Sequence, residues 1–548
     1  MKLTYHNMGL KLLVIAFFTC AFLNACELDK YPEVAISEEG YWKTPEDFRD
    51  AANYFYSYLP GMSDNYAANW SDDAYAVSPN SISDGSRTTP ATTADWDNNY
   101  RLIRASNTLL EKSRVTSADR ASIKRYLGEA YFFRAFANFE LVKRYGDVPL
   151  ILKTFDVNDP ETQAPRTSKE IVLDAIYTDL DSAVTHLLTA DQLASTEYGR
   201  ITKGAALALK ARIGLFSGTR NKFHGQGDHT KHLNIALAAS EALMNSNHYG
   251  LFTYAGKPDS SYYYLFQKQG EGRANRENIL VRLYGESITN NQGQHSFSAE
   301  LTNGFTTPTR SLMDAYLYKD GLPKEQSTLY KTPVNTLTEF EDRDMRIGAT
   351  VFNKTHFFTT SLYSPTFSFS NTGYKTRKYF DATSANNKAG FTDYIFLRYA
   401  EILLTYAEAK FELNGSITDG ELNRSINLIR ARAKMPELTN AFVQTNQLDM
   451  RNEIRRERRI EMAFEGQTRY WDLIRWKIAE TELPKSILGA KFFPTEYGTS
   501  IIPSTNAEGI VIVQDASRRK FDKTRDYLWP LPTRDLSLDL NLTQNPGW

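Results

Sequence analysis

The sequence predicts a mainly α-helical protein, a scaffold of helix pairs with a loop-rich region that carries short strands. In two blocks of the chain apolar residues recur every three or four positions, which is the helical period. Small residues line one face in the first block, as at Ala205, Ala208 and Ala211. Between and after the blocks the period fails, and aromatic, Ser, Thr, Asn and Gly residues dominate. Paired helices of this kind suggest tetratricopeptide-like units, which stack because one pair cannot bury its apolar face alone. No clean period of about 34 residues can be counted, so repetition alone carries the architecture no further.

The chain opens on a basic segment bracketed by Lys2 and Lys11, an apolar run from Leu12 to Phe22, and Leu23-Asn24-Ala25-Cys26. The run is about half of the roughly 20 residues that cross a bilayer, so residues 1–25 read as a cleaved signal peptide. The closing tetrapeptide looks like a bacterial lipobox, which implies a lipid thioether on Cys26. At about 0.8 kcal/mol per buried methylene, several acyl chains hold a soluble domain on a membrane.

Thr44-Pro45-Glu46-Asp47 supplies an N-cap, a proline at the first helical position and acids over the first turn. A helix through Phe48, Ala51, Ala52 and Phe55 is expected to reach about Leu59, where Pro60-Gly61 stops it. Residues 63–95 are polar, with Trp70 and Tyr75 interleaved, and read as loop. Helical spacing returns with Tyr100 and Ile103 and is strongest from Ala121 to Arg144, with Gly146 placed as a left-handed cap. Thr167-Ser168-Lys169-Glu170 matches a capping box opening a helix to Leu187, and helices over Lys203–Phe216 and Leu233–Met244 follow. From about Leu251 to Phe391 the chain reads as irregular loop, including the aromatic stretch Phe357 to Phe369. The second block predicts helices over Tyr394–Phe411, Gly420–Ala433, Asp449–Phe464 and Thr468–Glu480, and the tail from Leu483 is again loop-like.

Without residues 1–25 the chain carries 62 basic against 65 acidic side chains, which leaves no nucleic-acid footprint. Cys20 falls in the signal and Cys26 is the lipidation candidate, so neither disulfides nor thiolate metal sites are expected. His224, Asp228, His229 and His232 match no zinc spacing and read as a solvated loop; neither metal nor cofactor is expected. Arg451, Arg455, Arg456, Arg458 and Arg459 alternate with Glu453, Glu457, Glu461 and Glu465 at helical reach and read as an ion-paired helix surface.

Several blocks along the chain together resemble the SusD/RagB family of outer-membrane lipoproteins. They include Leu28-Asp29-Lys30-Tyr31-Pro32, Tyr131-Phe132-Phe133-Arg134-Ala135, Tyr145-Gly146-Asp147-Val148-Pro149-Leu150 and Gly199-Arg200-Ile201-Thr202-Lys203-Gly204. Further on come Asp320-Gly321-Leu322-Pro323, Arg343-Asp344-Met345-Arg346, Leu397-Arg398-Tyr399-Ala400-Glu401, Glu457-Arg458-Arg459-Ile460-Glu461, Tyr470-Trp471-Asp472-Leu473 and Gln544-Asn545-Pro546-Gly547. The resemblance implies a SusD-like, tetratricopeptide-like scaffold in which residues 26–250 form an N-terminal region. Residues 251–395, 396–480 and 481–548 are then the loop-rich, second helical and tail parts of the C-terminal region. It also implies a cell-surface protein that binds oligosaccharide or polysaccharide and delivers it to a SusC-like TonB-dependent transporter, held to the outer membrane by its lipid. The acids Glu27 and Asp29 beside the lipid site resemble surface-export signals.

Sugar rings have apolar C–H faces and polar edges, so a glycan site needs flat aromatic platforms with amide, carboxylate or guanidinium neighbours. Trp96 and Asn99 offer such a pair, and the resemblance places glycan contacts in this segment; Asp84 and Arg87 in the preceding loop can reach sugar hydroxyls. Trp70, Tyr75, Tyr284, His295, Phe297 and Phe305 are the other candidates, while Trp471 and Trp476 read as core. No catalytic residue is assigned. A surface glycoside hydrolase and a protein-binding adhesin are the alternatives: 65 acids leave room for a carboxyl pair, and helical arrays commonly bind proteins.

Overall fold

The computed structural model describes residues 41–286 and 293–548, so the signal segment and Cys26 lie outside the described residues. Helix α1 (Pro45–Phe55) begins as the sequence predicts. Thr44 accepts from the Asp47 amide, and Asp47 accepts from the Thr44 amide at 2.8 Å. It ends earlier, in a 3₁₀ turn over Tyr56–Tyr58. Helices α2 (Ala94–Val115) and α3 (Arg120–Tyr145) form the first long hairpin, followed by α4 (Lys169–His186), α5 (Lys203–His224) and α6 (His229–Asn245).

α3 is packed by α1, α2 and α4 and is buried almost all round from Tyr126 onward. A central helix of this kind needs polar ties as well as apolar packing. Arg134 donates to Asp179 of α4 at 2.8 and 2.6 Å and to Asn107 of α2 at 2.8 Å, joining three helices. The capping box expected at Thr167–Glu170 does not form; Ser168 makes no side-chain cap, and the Lys169 amide donates instead to Asp147 at 2.8 Å. The small face of α5 allows α6 to approach until a β-carbon on Gly214 would sit 2.7 Å from the Ala236 nitrogen. α5 runs on to His224, past the expected end at Phe216.

The second block gives α7 (Tyr399–Asn414), α8 (Met450–Glu461) and α9 (Thr468–Arg475). Among the described residues, four two-stranded antiparallel sheets pair β1 (Ala74–Tyr75) with β3 (Thr307–Pro308) and β2 (Asn278–Arg282) with β6 (Tyr394–Arg398). β4 (Phe357–Phe358) pairs with β5 (Ser361–Leu362), and β7 (Ile487–Lys491) with β8 (Ile510–Gln514). Tyr394–Arg398, expected to be helical, is a strand, because the four aromatic and branched apolar residues Tyr394 to Leu397 fit either period and β2 supplies the pairing partner. The expected helix Gly420–Ala433 is broken into Asp419–Asn423 and Ile426–Arg432.

One large apolar core runs through both helical blocks, and a smaller one under the loop region gathers Met62, Tyr262, Phe266, Phe297 and Tyr379. Between them lies a lattice of buried ion pairs. Arg398 meets Glu277 at 2.9 Å, Glu461 at 2.7 Å and Glu465 at 2.7 Å. Arg346 meets Asp344 at 2.7 Å, Glu457 at 2.6 Å and Glu461 at 2.9 Å. The basic and acidic run of α8 is therefore ion-paired, but its Glu453, Glu457, Arg458 and Glu461 face inward rather than solvent. The expectation of a solvated histidine loop is also corrected. His232 is buried between the Tyr177 hydroxyl at 2.8 Å and Glu170 at 2.9 Å, and Asp228 caps α6.

Candidate functional site

Outside the helix bundle, residues 297–306 and 366–372 bring aromatic rings to the surface. Phe297 is buried in the smaller core; Tyr66 packs on it with centroids 5.2 Å apart, and Phe305 packs on Tyr66 at 5.8 Å. Phe305 is 45% exposed and Phe369 63% exposed, far more than rings recruited for packing. Gly304, at φ +73°, approaches the Phe369 carbonyl so closely that a β-carbon there would lie 2.1 Å from its oxygen, which joins the two ring-bearing loops. Phe369 itself adopts φ +56°. A left-handed backbone costs a non-glycine residue roughly 1–2 kcal/mol, and an exposed ring returns little of that by packing.

Polar groups surround the rings. The Tyr66 hydroxyl donates to Glu300, whose carboxyl is pushed up by burial. The Asn69 amide donates to the Phe305 carbonyl at 2.8 Å and Asn371 to the Val77 carbonyl at 3.0 Å, while Asn303 and Ser368 are exposed on the same loops. Rings flanked by amides, hydroxyls and a carboxyl meet the chemical demand of a sugar, with C–H faces on the rings and hydroxyls on the edges.

Lys375 braces this arrangement from below. Lys375 is 2% exposed, and its ammonium donates to the Thr302 and Phe369 carbonyls, each at 3.1 Å. Burial lowers its pKa to about 8. The unfolded chain therefore keeps the proton between about pH 8 and 10.5 when the folded protein has lost it, so this group's contribution to stability rises with pH across that window. Lys375→Met is expected to leave global stability within about 1 kcal/mol, since losing two charge-assisted hydrogen bonds is offset by no longer burying a charge. Hydrogen exchange should accelerate about tenfold over residues 366–372 alone, and unchanged exchange there would show that the ammonium does not hold the loop.

The residues singled out in the sequence are scattered. Trp96 is 5% exposed, packs against Tyr100 at 4.9 Å and Tyr145 at 5.1 Å, and reaches the surface only as part of the wall of a groove along α2. Asn99 donates to the Asp95 carbonyl of its own helix at 2.6 Å. Arg87 lies between Trp529 at 4.7 Å and Trp548 at 4.9 Å, and Asp84 is buried and accepts from the Ser86 amide at 2.9 Å. Trp70 is half-buried against Tyr470 and Trp529, and Tyr75 is buried in β1. Tyr284 and His295 meet edge to face at 4.9 Å. The Tyr284 amide donates to Asp393 at 2.9 Å, and burial, reinforced by Glu271, raises that carboxyl to about 7. Only Phe297 and Phe305 belong to the ring cluster, as base and outer ring. Tyr66 and Phe369 were missed as individuals, although the aromatic stretch ending at Phe369 stands out in the sequence.

Paired helices bearing exposed rings on irregular loops define a tetratricopeptide-like scaffold with an aromatic surface outside the bundle. The chain belongs to the SusD family, whose model matches residues 272–548; a second, described as starch-binding associating with outer membrane, matches residues 39–215. SusD-like protein P38 of Formosa agariphila is 26% identical over 509 residues, covering 86% of this chain and 92% of its own. A solved SusD-like protein from Bacteroides fragilis superposes with a TM-score of 0.75 at 26% identity, covering 94% of this chain and 99% of the other. A SusD-like carbohydrate-binding protein from the same species gives 0.74 at 25% identity, covering 92% and 99%. The resemblance read from the motif blocks is thus borne out, as is the mainly helical fold.

Proposed function

We propose that this protein captures oligosaccharide or polysaccharide on the Phe305 and Phe369 rings and delivers it unaltered to a SusC-like TonB-dependent transporter. The observation that carries this reading is the pair of exposed rings outside the bundle, one of them held on a strained backbone. The family description, starch-binding and associated with the outer membrane, and the similarity to a carbohydrate-binding protein of Bacteroides fragilis support it. A lipid on Cys26 facing the cell exterior would keep the protein beside its transporter, replacing diffusion by effective concentration. Binding rather than hydrolysis is supported by the similarity to a carbohydrate-binding protein; Glu300, the carboxyl beside the rings, would need a second carboxyl to cut a glycosidic bond. Electrophoresis through gels containing starch, xylan, laminarin or pectin tests it, together with a reducing-end assay. Retardation by at least one polymer without new reducing ends is expected; product release would mark a hydrolase, and no retardation by any polymer would remove the glycan reading.

A further inference from the structure

Five large aromatic side chains among the described residues are more than about a third exposed, and four of them, Phe305, Tyr330, Phe357 and Phe369, lie in the loop-rich region. The fifth, Tyr54, stands on the helical half and is 51% exposed. It projects from the last turn of α1 and meets Tyr58 edge to face, with centroids 5.3 Å apart and hydroxyls 2.5 Å apart. Ser57, between them, is exposed and donates to the Tyr54 carbonyl at 2.7 Å. The neighbouring face of α2 presents Arg101, which donates to Asn98 at 3.3 Å and whose charge reaches the Tyr58 hydroxyl.

We propose that Tyr54, Tyr58, Asn98 and Arg101 form a second saccharide-binding surface, separate from the loop platform. Tyr54, half-exposed, and Tyr58, partly buried, supply C–H stacking faces, and an amide, a guanidinium and three hydroxyls lie at their edges, the pattern that matches a polyhydroxylated ligand. An apolar protein partner would find little dry area here, because every aromatic edge carries a hydroxyl. Arg101 also lines an open groove of about 500 Å³ with Tyr100, Arg104, Phe155 and Thr162, so the tyrosine surface adjoins that groove through Arg101. Two separated contacts on one protein make a long polymer bind more tightly than a short oligomer, because the second contact forms intramolecularly.

This inference rests on the glycan reading, and its test separates the two. Wild type, Tyr54→Ala/Tyr58→Ala, Arg101→Ala and Phe305→Ala/Phe369→Ala are compared in the same starch, xylan, laminarin and pectin gels. They are then titrated calorimetrically with a hexasaccharide of whichever polymer retards the wild type. The tyrosine variant should lose about tenfold in polymer affinity, and the hexasaccharide stoichiometry should fall from two to one in either double variant. Arg101→Ala, which removes no packing ring, should weaken polymer binding about threefold in a protein of unchanged thermal midpoint. If wild type is retarded and the tyrosine and Arg101 variants are retarded equally, the second surface is refuted while the platform stands. If no polymer retards the wild type, both readings fall.

Discussion

Replacing Phe305 and Phe369 together by alanine sharply weakens polysaccharide retention while the thermal midpoint stays within about 2 °C of the parent. Each ring face that a sugar covers removes on the order of 70 Å² of apolar surface from water, about 1.5–2 kcal/mol at about 25 cal/mol per Å². Losing two such faces costs about 3–4 kcal/mol, a fall in affinity of roughly two to three orders of magnitude. Folding loses little, because both rings are already largely in water. The backbone of Phe369 keeps its left-handed conformation in the alanine variant, so its strain is unchanged. Phe297→Ala behaves in the opposite way: that ring is fully packed, and its removal costs about 3–5 kcal/mol of stability whatever it does to binding. Gel retardation beside thermal melts reads both quantities, and a double variant retained like the parent would take these rings out of the site.

The scaffold was legible because helix formation is local. Thr44 to Asp47 announces its own cap, and α2 to α6 follow their apolar spacing to within a few residues except at the start of α2, which lies at Ala94 rather than near Tyr100, and at the C-terminal end of α5. Errors fall where a distant partner decides. Tyr394–Arg398 is a strand because β2 lies beside it, and Lys169 is capped by Asp147 instead of Ser168. The inward face of α8 is a similar case: Glu457 and Glu461 read as surface until Arg346, Arg398, Arg430 and Arg432 arrive from elsewhere in the chain. For the site the difficulty is exposure. Trp96 and Phe369 are both aromatic residues near amides in sequence, and only tertiary packing buries one against Tyr145 and leaves the other in water.

Arg398→Met is expected to lower unfolding free energy by about 3–5 kcal/mol, the cost of removing one partner from a buried ion pair. Arg398 is 1% exposed and holds three carboxylates, while its Nη2 also donates to the Glu461 carbonyl at 2.8 Å. Each carboxylate keeps a second cation, Arg432 for Glu277 and Glu461 and Lys378 for Glu465, so the variant folds with a weakened lattice. The pH dependence identifies the cause. Burial pushes the Glu461 carboxyl up, but Arg432, Arg398 and Arg346 outweigh it and hold the group well below the usual carboxylate range; Glu457 is lowered in the same way by Arg346 and Arg430. A carboxyl depressed in the folded state contributes stability that is fully present above its unfolded pKa of about 4.5 and is lost as pH falls below it. The parent should therefore lose stability steeply on acidification below about pH 4.5. Arg398→Met should start lower and fall less steeply, because Glu461 has moved back toward its ordinary value. Urea midpoints between pH 3 and 8 measure both curves. Parallel curves would show that Arg398 acts by packing alone, whereas converging curves at low pH show that the fold is fastened at its centre by charge.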